Sequence, residues 1–173
     1  MATTRELSLE LSARMLLLAD SVSDIASARS VVESKLSDGS ALERFKQNIE
    51  LQGGDASVCD NPDRLLTDAL FECPIVSDED GIVTEIDTFR IGSAMVDIGG
   101  GRVKAEDSVD PAVGFSCQVK IGTAIKRGEA LGLAYCRSEQ QADKVREKLR
   151  SAFKVSSDVP VVKPKLIQAV IGE

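Results

Sequence analysis

Two rhythms divide the chain. Over the first 70 residues large apolar side chains return every three or four positions, the spacing of a helix face, whereas from about residue 73 they fall in short β-branched runs broken by Gly, Pro and Asp. Thr4 is placed to cap a first helix running to about residue 19, with Leu7, Leu11, Met15 and Leu18 in one stripe and Leu9, Leu16 and Leu17 widening it. Asp24 caps a second, IASARSVVESKLSDG, whose stripe is Ala28, Val31, Val32 and Leu36 and whose left-handed closing residue is Gly39. Ser40 and Glu43 have capping-box spacing for a third, which carries Leu42, Phe45 and Ile49 and ends at Gly53 and Gly54. Asp60 or Asn61, followed by Pro62, predicts one further helical turn.

Beyond residue 73, PIVSDEDGIVTEID reads as strand, turn, strand, with the turn at Asp80-Gly81 and Ile82, Val83 and Ile86 facing inward. SAMVDIGGGRVKAED predicts another strand, interrupted by its glycines. DPAVGFSCQVKIGTAIKRGEALGLAYC continues with Val119, Ile121, Ile125 and Leu131 inward and Gly114, Gly122, Gly128 and Gly132 as punctuation. Corners this frequent call for antiparallel pairing. Ser138 and Gln141 open a last helix with Ala142, Val145, Leu149 and Phe153 on its apolar side, while Asp143, Lys144, Glu147 and Lys148 read as a solvated face. In the closing stretch, Val155, Leu166, Ile167, Val170 and Ile171 are short strand signals, and Pro160 and Pro164 confine the piece between them to a loop or a sheet edge. The fold class is therefore α+β, with a helical segment over 1–70 and an antiparallel α+β domain with a packed helix over 71–173.

The first helix carries more apolar surface than two modest helices can cover. Leu7, Leu9, Leu11, Met15, Leu16, Leu17 and Leu18 would each gain about 1.5–3 kcal/mol from full burial. The expectation is a piece of a larger protein, or a chain that hides this helix against a partner or a second copy of itself.

Composition narrows the chemistry. With 173 residues the chain can bury one domain core and a smaller helical appendage. A net charge of −7 and 3% aromatic content leave neither a phosphate-binding footprint nor stacking platforms, so nucleic acid is not an expected partner. Cys59, Cys73, Cys117 and Cys136 form no C-x-x-C pair, and there is no histidine to complete a zinc set or to serve as the usual general base. Charged residues interrupt the first 20 positions, and the uncharged run there, residues 15–19, is far shorter than the roughly 20 residues that span a bilayer. A cytoplasmic protein with reduced thiols, no secretory leader and no membrane partner is expected.

Three motifs invite functional readings. The glycines of MVDIGGGRVKAEDSVDPAVG fit neither nucleotide pattern, because position 104 is Lys104 where a dinucleotide fingerprint needs glycine and no Lys-Ser or Lys-Thr closes a P-loop. They read instead as a place where the backbone bends and a side chain would obstruct, with Arg102, Lys104, Glu106 and Asp107 as mutual ion-pair partners or interdomain contacts. Asp78, Glu79 and Asp80 lack the alternating oxygens of a calcium loop and read as a turn. Carboxylate chemistry around Asp107 and Asp110 lacks a companion base. IGTAIKRGEALG and DGIV resemble turns of biotinyl and lipoyl carrier domains, but no lysine occupies the hairpin tip that carrier chemistry requires.

Five segments in register, LSLELSARMLLLA, DGSALERFKQNIELQGGD, DGIVTEID, IGGGRVKAEDSVDPAVG and VKIGTAIKRGEALG, resemble the carboxyl-terminal part of thymidine and pyrimidine-nucleoside phosphorylases. The resemblance covers nearly the whole chain. It implies reversible phosphorolysis of thymidine to thymine and deoxyribose 1-phosphate by the whole enzyme, a helical segment taken from the large domain, and a terminal barrel-sandwich-like (α/β-hammerhead) domain. It also implies that the phosphate- and base-binding motifs lie in the amino-terminal part, so no catalytic, metal or cofactor-binding residue is assigned here. The expected partner is that remainder. The competing reading is a free-standing interaction module that kept the fold without the enzyme.

Overall fold

The computed structural model describes residues 2–62, 71–157, 162 and 164–171. The chain forms two compact units, Met1–Leu65 with Lys165–Glu173, and Leu66–Pro164.

The first unit contains α1 (Ala2–Leu18), α2 (Ile25–Ser37), α3 (Ser40–Leu51) and a 3-10 turn at Ala56–Cys59. Thr4 lies inside α1 and is not its cap. The sharp end of α1 falls at Asp20, which takes the left-handed conformation at φ 51°. Asp24 caps α2 as predicted, its carboxylate accepting the Ser27 amide at 2.8 Å. The capping box at α3 does not form: Gly39, at φ 80°, is the N-cap, and the Ser40 amide donates to the Asp38 carboxylate at 2.8 Å. Leu9, Ala13 and Ala28 are the buried residues where α1 meets α2. Small side chains at Ala13 and Ala28 let the two helices approach closely. Arg29 of α2 reaches across to Glu6 of α1 at 2.6 Å and along its own helix to Glu33 at 3.3 Å. The further turn expected after Pro62 lies outside the described residues. Residues 166–171, read as strand signals, are irregular.

In the second unit, β1 (Phe71–Val76), β5 (Ala130–Cys136) and β3 (Gly114–Cys117) form one antiparallel sheet in the order β1-β5-β3. A second antiparallel sheet has the order β4-β2-β6, from Ala124–Ile125, Gly81–Ile86 and Phe153–Ser156. Among the described residues these are two separate three-stranded sheets and not a closed barrel. The turn at Asp80-Gly81 is therefore not a hairpin between paired strands, because β1 pairs with β5 while β2 pairs with β4 and β6.

The segment predicted as a glycine-broken strand is instead α4 (Thr88–Asp97), capped by Asp87, which accepts the Arg90 amide at 2.9 Å. The period of Ile91, Ala94, Met95 and Ile98 is helical, and these residues join the core formed by β1, β5 and α5 (Glu139–Arg150). Cys73, Ile75, Ile98, Val113, Cys136, Val145 and Leu149 are its larger members. A second cluster gathers Val83, Val119, Ile125, Leu131 and Phe153. Phe115 and Ile91 pack against both, and the Phe115 and Phe153 rings meet at 6.3 Å with a 57° tilt. No helix among the described residues is long and apolar enough to cross a membrane.

Candidate functional site

The triple glycine closes a helix. The Gly100 amide donates to the Met95 carbonyl at 2.9 Å and the Gly99 amide to Val96 at 3.1 Å, the paired bonds of a Schellman ending with Gly99 in the left-handed region at φ 94°. A Cβ on Gly101 would stand 2.8 Å from the Val96 side chain, and one on Gly100 3.1 Å from the Met95 carbonyl. Glycine is thus required by the turn and by the close return of the chain over α4.

The loop that follows is held from within. The Asp107 carboxylate accepts the amides of Val103 and Lys104 at 3.0 and 2.9 Å, so the backbone donors that would cradle a phosphate already bind an internal anion. The Asp110 amide donates to the Gly99 carbonyl at 2.8 Å, and its carboxylate takes Arg137 in a two-pronged pair at 2.7 and 2.8 Å. The Arg137 guanidinium, with the Ala112 amide, holds the Asp110 carboxyl at about 2. A group so easily ionised cannot donate a proton near neutral pH, and its lone pairs are committed. Neither Asp107 nor Asp110 is arranged for acid or base work. Arg102, Lys104 and Glu106 are exposed at the tip and form no ion pair with another described residue, so the expected mutual pairing does not occur there.

The face of α5 read as solvated is used. Lys144 donates to the Asp97 carbonyl at 2.6 Å, and Lys148 reaches the Asp97 carboxylate at 2.6 Å and the Ser93 hydroxyl at 2.8 Å. These cations sit at the C-terminal end of α4, where unpaired carbonyls attract positive charge. The sequence reading missed them, although two lysines four residues apart on one face of a predicted helix are a recognisable signal.

A concavity of about 450 Å3 in the second unit runs beside β6 over Leu131 and Phe153 and is rimmed by Ser77, Asp78, Glu79, Glu147, Arg150 and Lys154. Its polar groups satisfy one another. Arg150 pairs with Asp78 and Glu147, and Lys154 with Glu85 at 2.6 Å. The Ser77 hydroxyl donates to the Glu79 carbonyl at 2.8 Å, and the Thr84 hydroxyl to the Lys154 carbonyl at 3.2 Å. Asp80 accepts the Arg127 amide at 2.7 Å, which makes the acidic run a turn. Burial, and then neighbouring Cys73, push the Cys136 thiol up, away from nucleophilic reactivity.

With this geometry, comparison with known proteins decides the family. Residues 82–156 match the profile of the pyrimidine nucleoside phosphorylase C-terminal domain. The chain carries a pyrimidine nucleoside phosphorylase C-terminal domain. The similarity extends past that domain. The pyrimidine-nucleoside phosphorylase of Geobacillus stearothermophilus is 40% identical over 163 residues, 94% of this chain and 37% of its own length. The thymidine phosphorylase of Burkholderia cenocepacia is 33% identical over 98% of the chain, and the pyrimidine-nucleoside phosphorylase of Bacillus subtilis 34% identical over 97%. The chain thus spans 37–38% of the length of these curated relatives. Within the phosphorylase C-terminal domain, the glycine ending of α4, the Asp107-filled turn and the Asp110–Arg137 pair all position backbone.

Proposed function

We propose that this chain is the C-terminal portion of an enzyme that catalyses reversible phosphorolysis of thymidine or a related pyrimidine nucleoside, and that its part in that enzyme is structural. In such a reaction phosphate displaces the base at the anomeric carbon, which requires cationic and hydrogen-bonding groups aimed at the phosphate and at the departing base. The observation that carries the reading is the 40% identity over 94% of the chain to a phosphorylase whose length it spans by only 37%. The engagement of Asp107 and Asp110 by amides and by Arg137 supports the absence of catalysis within the piece. On this reading residues 1–70 belong to the large domain of the whole enzyme, 71–173 form its terminal α+β domain, and the two sheets take the family's barrel-sandwich arrangement. The remainder of the phosphorylase is the partner that brings the phosphate- and base-binding groups.

The test is release of thymine from thymidine and phosphate by the isolated chain, followed by absorbance. No rate above the blank is expected. Phosphate-dependent turnover that co-purifies with the chain would overturn the structural role.

A further inference from the structure

β6 is an outer strand: β2 lies on one side of it, and among the described residues no strand pairs with the other. The backbone pattern identifies the residue that faces outward. Val83 of β2 directs its own groups to the far side of β2, its amide donating to the Thr123 carbonyl at 2.9 Å and its carbonyl accepting the Gly122 amide at 2.8 Å. Val155, opposite Val83, is therefore in a pair without hydrogen bonds, and in such an antiparallel pair the amide and carbonyl point away from the neighbouring strand. They lie on the free edge of the sheet, a row of backbone groups open to another chain.

This edge lines the concavity of about 450 Å3, whose apolar floor is Leu131, Phe153 and Val155. The turn from Ser77 to Glu79, which also lines it, is fixed: the Ser77 amide donates to the Glu129 carbonyl at 3.0 Å and the Ser77 carbonyl accepts the Gly128 amide at 2.8 Å. Charge selects the occupant. Arg150 pairs with Asp78 and Glu147 on the rim, Glu79 stands beside them, and the other rim cation, Lys154, pairs with Glu85 at 2.6 Å. Four carboxylates thus share two cations, and the cleft keeps a negative field.

We propose that the outer edge of β6 receives an extended segment of a partner protein in which apolar and basic residues alternate. The segment adds a strand by pairing with the Val155 amide and carbonyl, seats alternate apolar side chains on Leu131, Phe153 and Val155, and brings the lysines or arginines between them to Asp78, Glu79 and Glu147. The proposal concerns the second unit alone and does not depend on the phosphorolysis reading.

The experiment titrates the isotope-labelled full chain with acetyl-Lys-Val-Lys-Val-Lys-Val-amide and follows its amide resonances. Saturable shifts centred on Val155 and on Ser77 to Glu79 are expected. Two further peptides are N-methylated, one at every valine amide and the other at every lysine amide. Since only one edge of the added strand faces β6, one of them should bind about tenfold more weakly and the other nearly as well as the parent. Glu79→Lys, at an exposed position, should weaken binding about fivefold or more, whereas Glu106→Lys, exposed on the glycine loop, should leave it unchanged. No saturable shift by about 1 mM peptide, or saturation centred away from β6, overturns the site. Equal effects of the two N-methylation patterns overturn strand pairing. Binding indifferent to Glu79→Lys, or equally tight for the peptide with Glu in place of Lys, overturns the basic partner.

Discussion

Gly132→Ala should destabilise the second unit through one identifiable collision. Gly132 is a buried residue in the middle of β5, paired with Ile75 of β1 on one side and Cys117 of β3 on the other. A Cβ there would stand 2.2 Å from the Phe115 ring and 2.7 Å from the Ser116 carbonyl oxygen. The ring can move, but it packs against both apolar clusters, and the carbonyl belongs to the paired strand. Overpacking of this kind costs about 1–3 kcal/mol. For a cooperative unit of this size, about 2 kcal/mol corresponds to a fall in Tm of roughly 8 °C. Thermal unfolding followed by circular dichroism would measure it, with Phe115→Ala and the double variant alongside. If the ring is the main obstacle, Gly132→Ala should cost distinctly less in the Phe115→Ala background. A Tm for Gly132→Ala within about 2 °C of the wild type, less than 1 kcal/mol, would refute the argument.

Other outcomes follow from the same contacts. Leu149→Ala empties a fully buried site between α5 and the β1-β5-β3 sheet and should cost about 2–5 kcal/mol in urea unfolding. Ser138→Ala removes the hydroxyl that accepts the Gln141 amide at 3.3 Å and should cost about 1 kcal/mol, with Ser138→Asp restoring most of it. The Asp110 carboxyl is lowered to about 2 in the folded chain, against about 3.9 when unfolded, so its stabilisation is complete above pH 4 and is lost as pH falls toward 2. Asp110→Asn should therefore lower the urea midpoint at pH 6 and lower it much less at pH 2, whereas an equal deficit at both values would exclude the ion pair as the cause.

Much of the fold is legible in the sequence where a local rule has no competitor. Asp24 and Ser138 mark their helices because a side-chain oxygen meets a free amide in both, and Gly39 and Gly53 take the left-handed closing positions at φ 80° and 79°. Asp38 competes at α3: one carboxylate two residues before Ser40 takes its amide and leaves the Ser40–Glu43 box without a role. The Thr88–Asp97 helix is misleading because Thr, Ile and Val favour strands and Gly92 weakens a helix, yet tertiary packing of Ile91, Ala94 and Ile98 overrides those preferences. Which strands pair is not a local property. β1 and β2 adjoin in sequence and lie in different sheets because β5, 54 or more residues along, completes the first of them. The glycine loop shows the same limit at finer scale: its need for a bend is readable, but the partner of the Asp110 carboxylate depends on where Arg137 arrives.

The excess of apolar surface on α1 is the sequence expectation that matters most for function. Seven large apolar residues in twelve positions leave Leu11, Met15 and Leu18 exposed even after α2 packs on Leu9 and Ala13. Under the proposed function, that surplus and the 37–38% share of the relatives' length are what a portion of a larger phosphorylase would show.

The most direct measurement replaces the matched stretch of the Geobacillus stearothermophilus pyrimidine-nucleoside phosphorylase with this chain and assays thymidine phosphorolysis beside the same polypeptide lacking any replacement. The account predicts turnover by the chimera and none without the graft. A folded chimera with no phosphate-dependent release of thymine would contradict it.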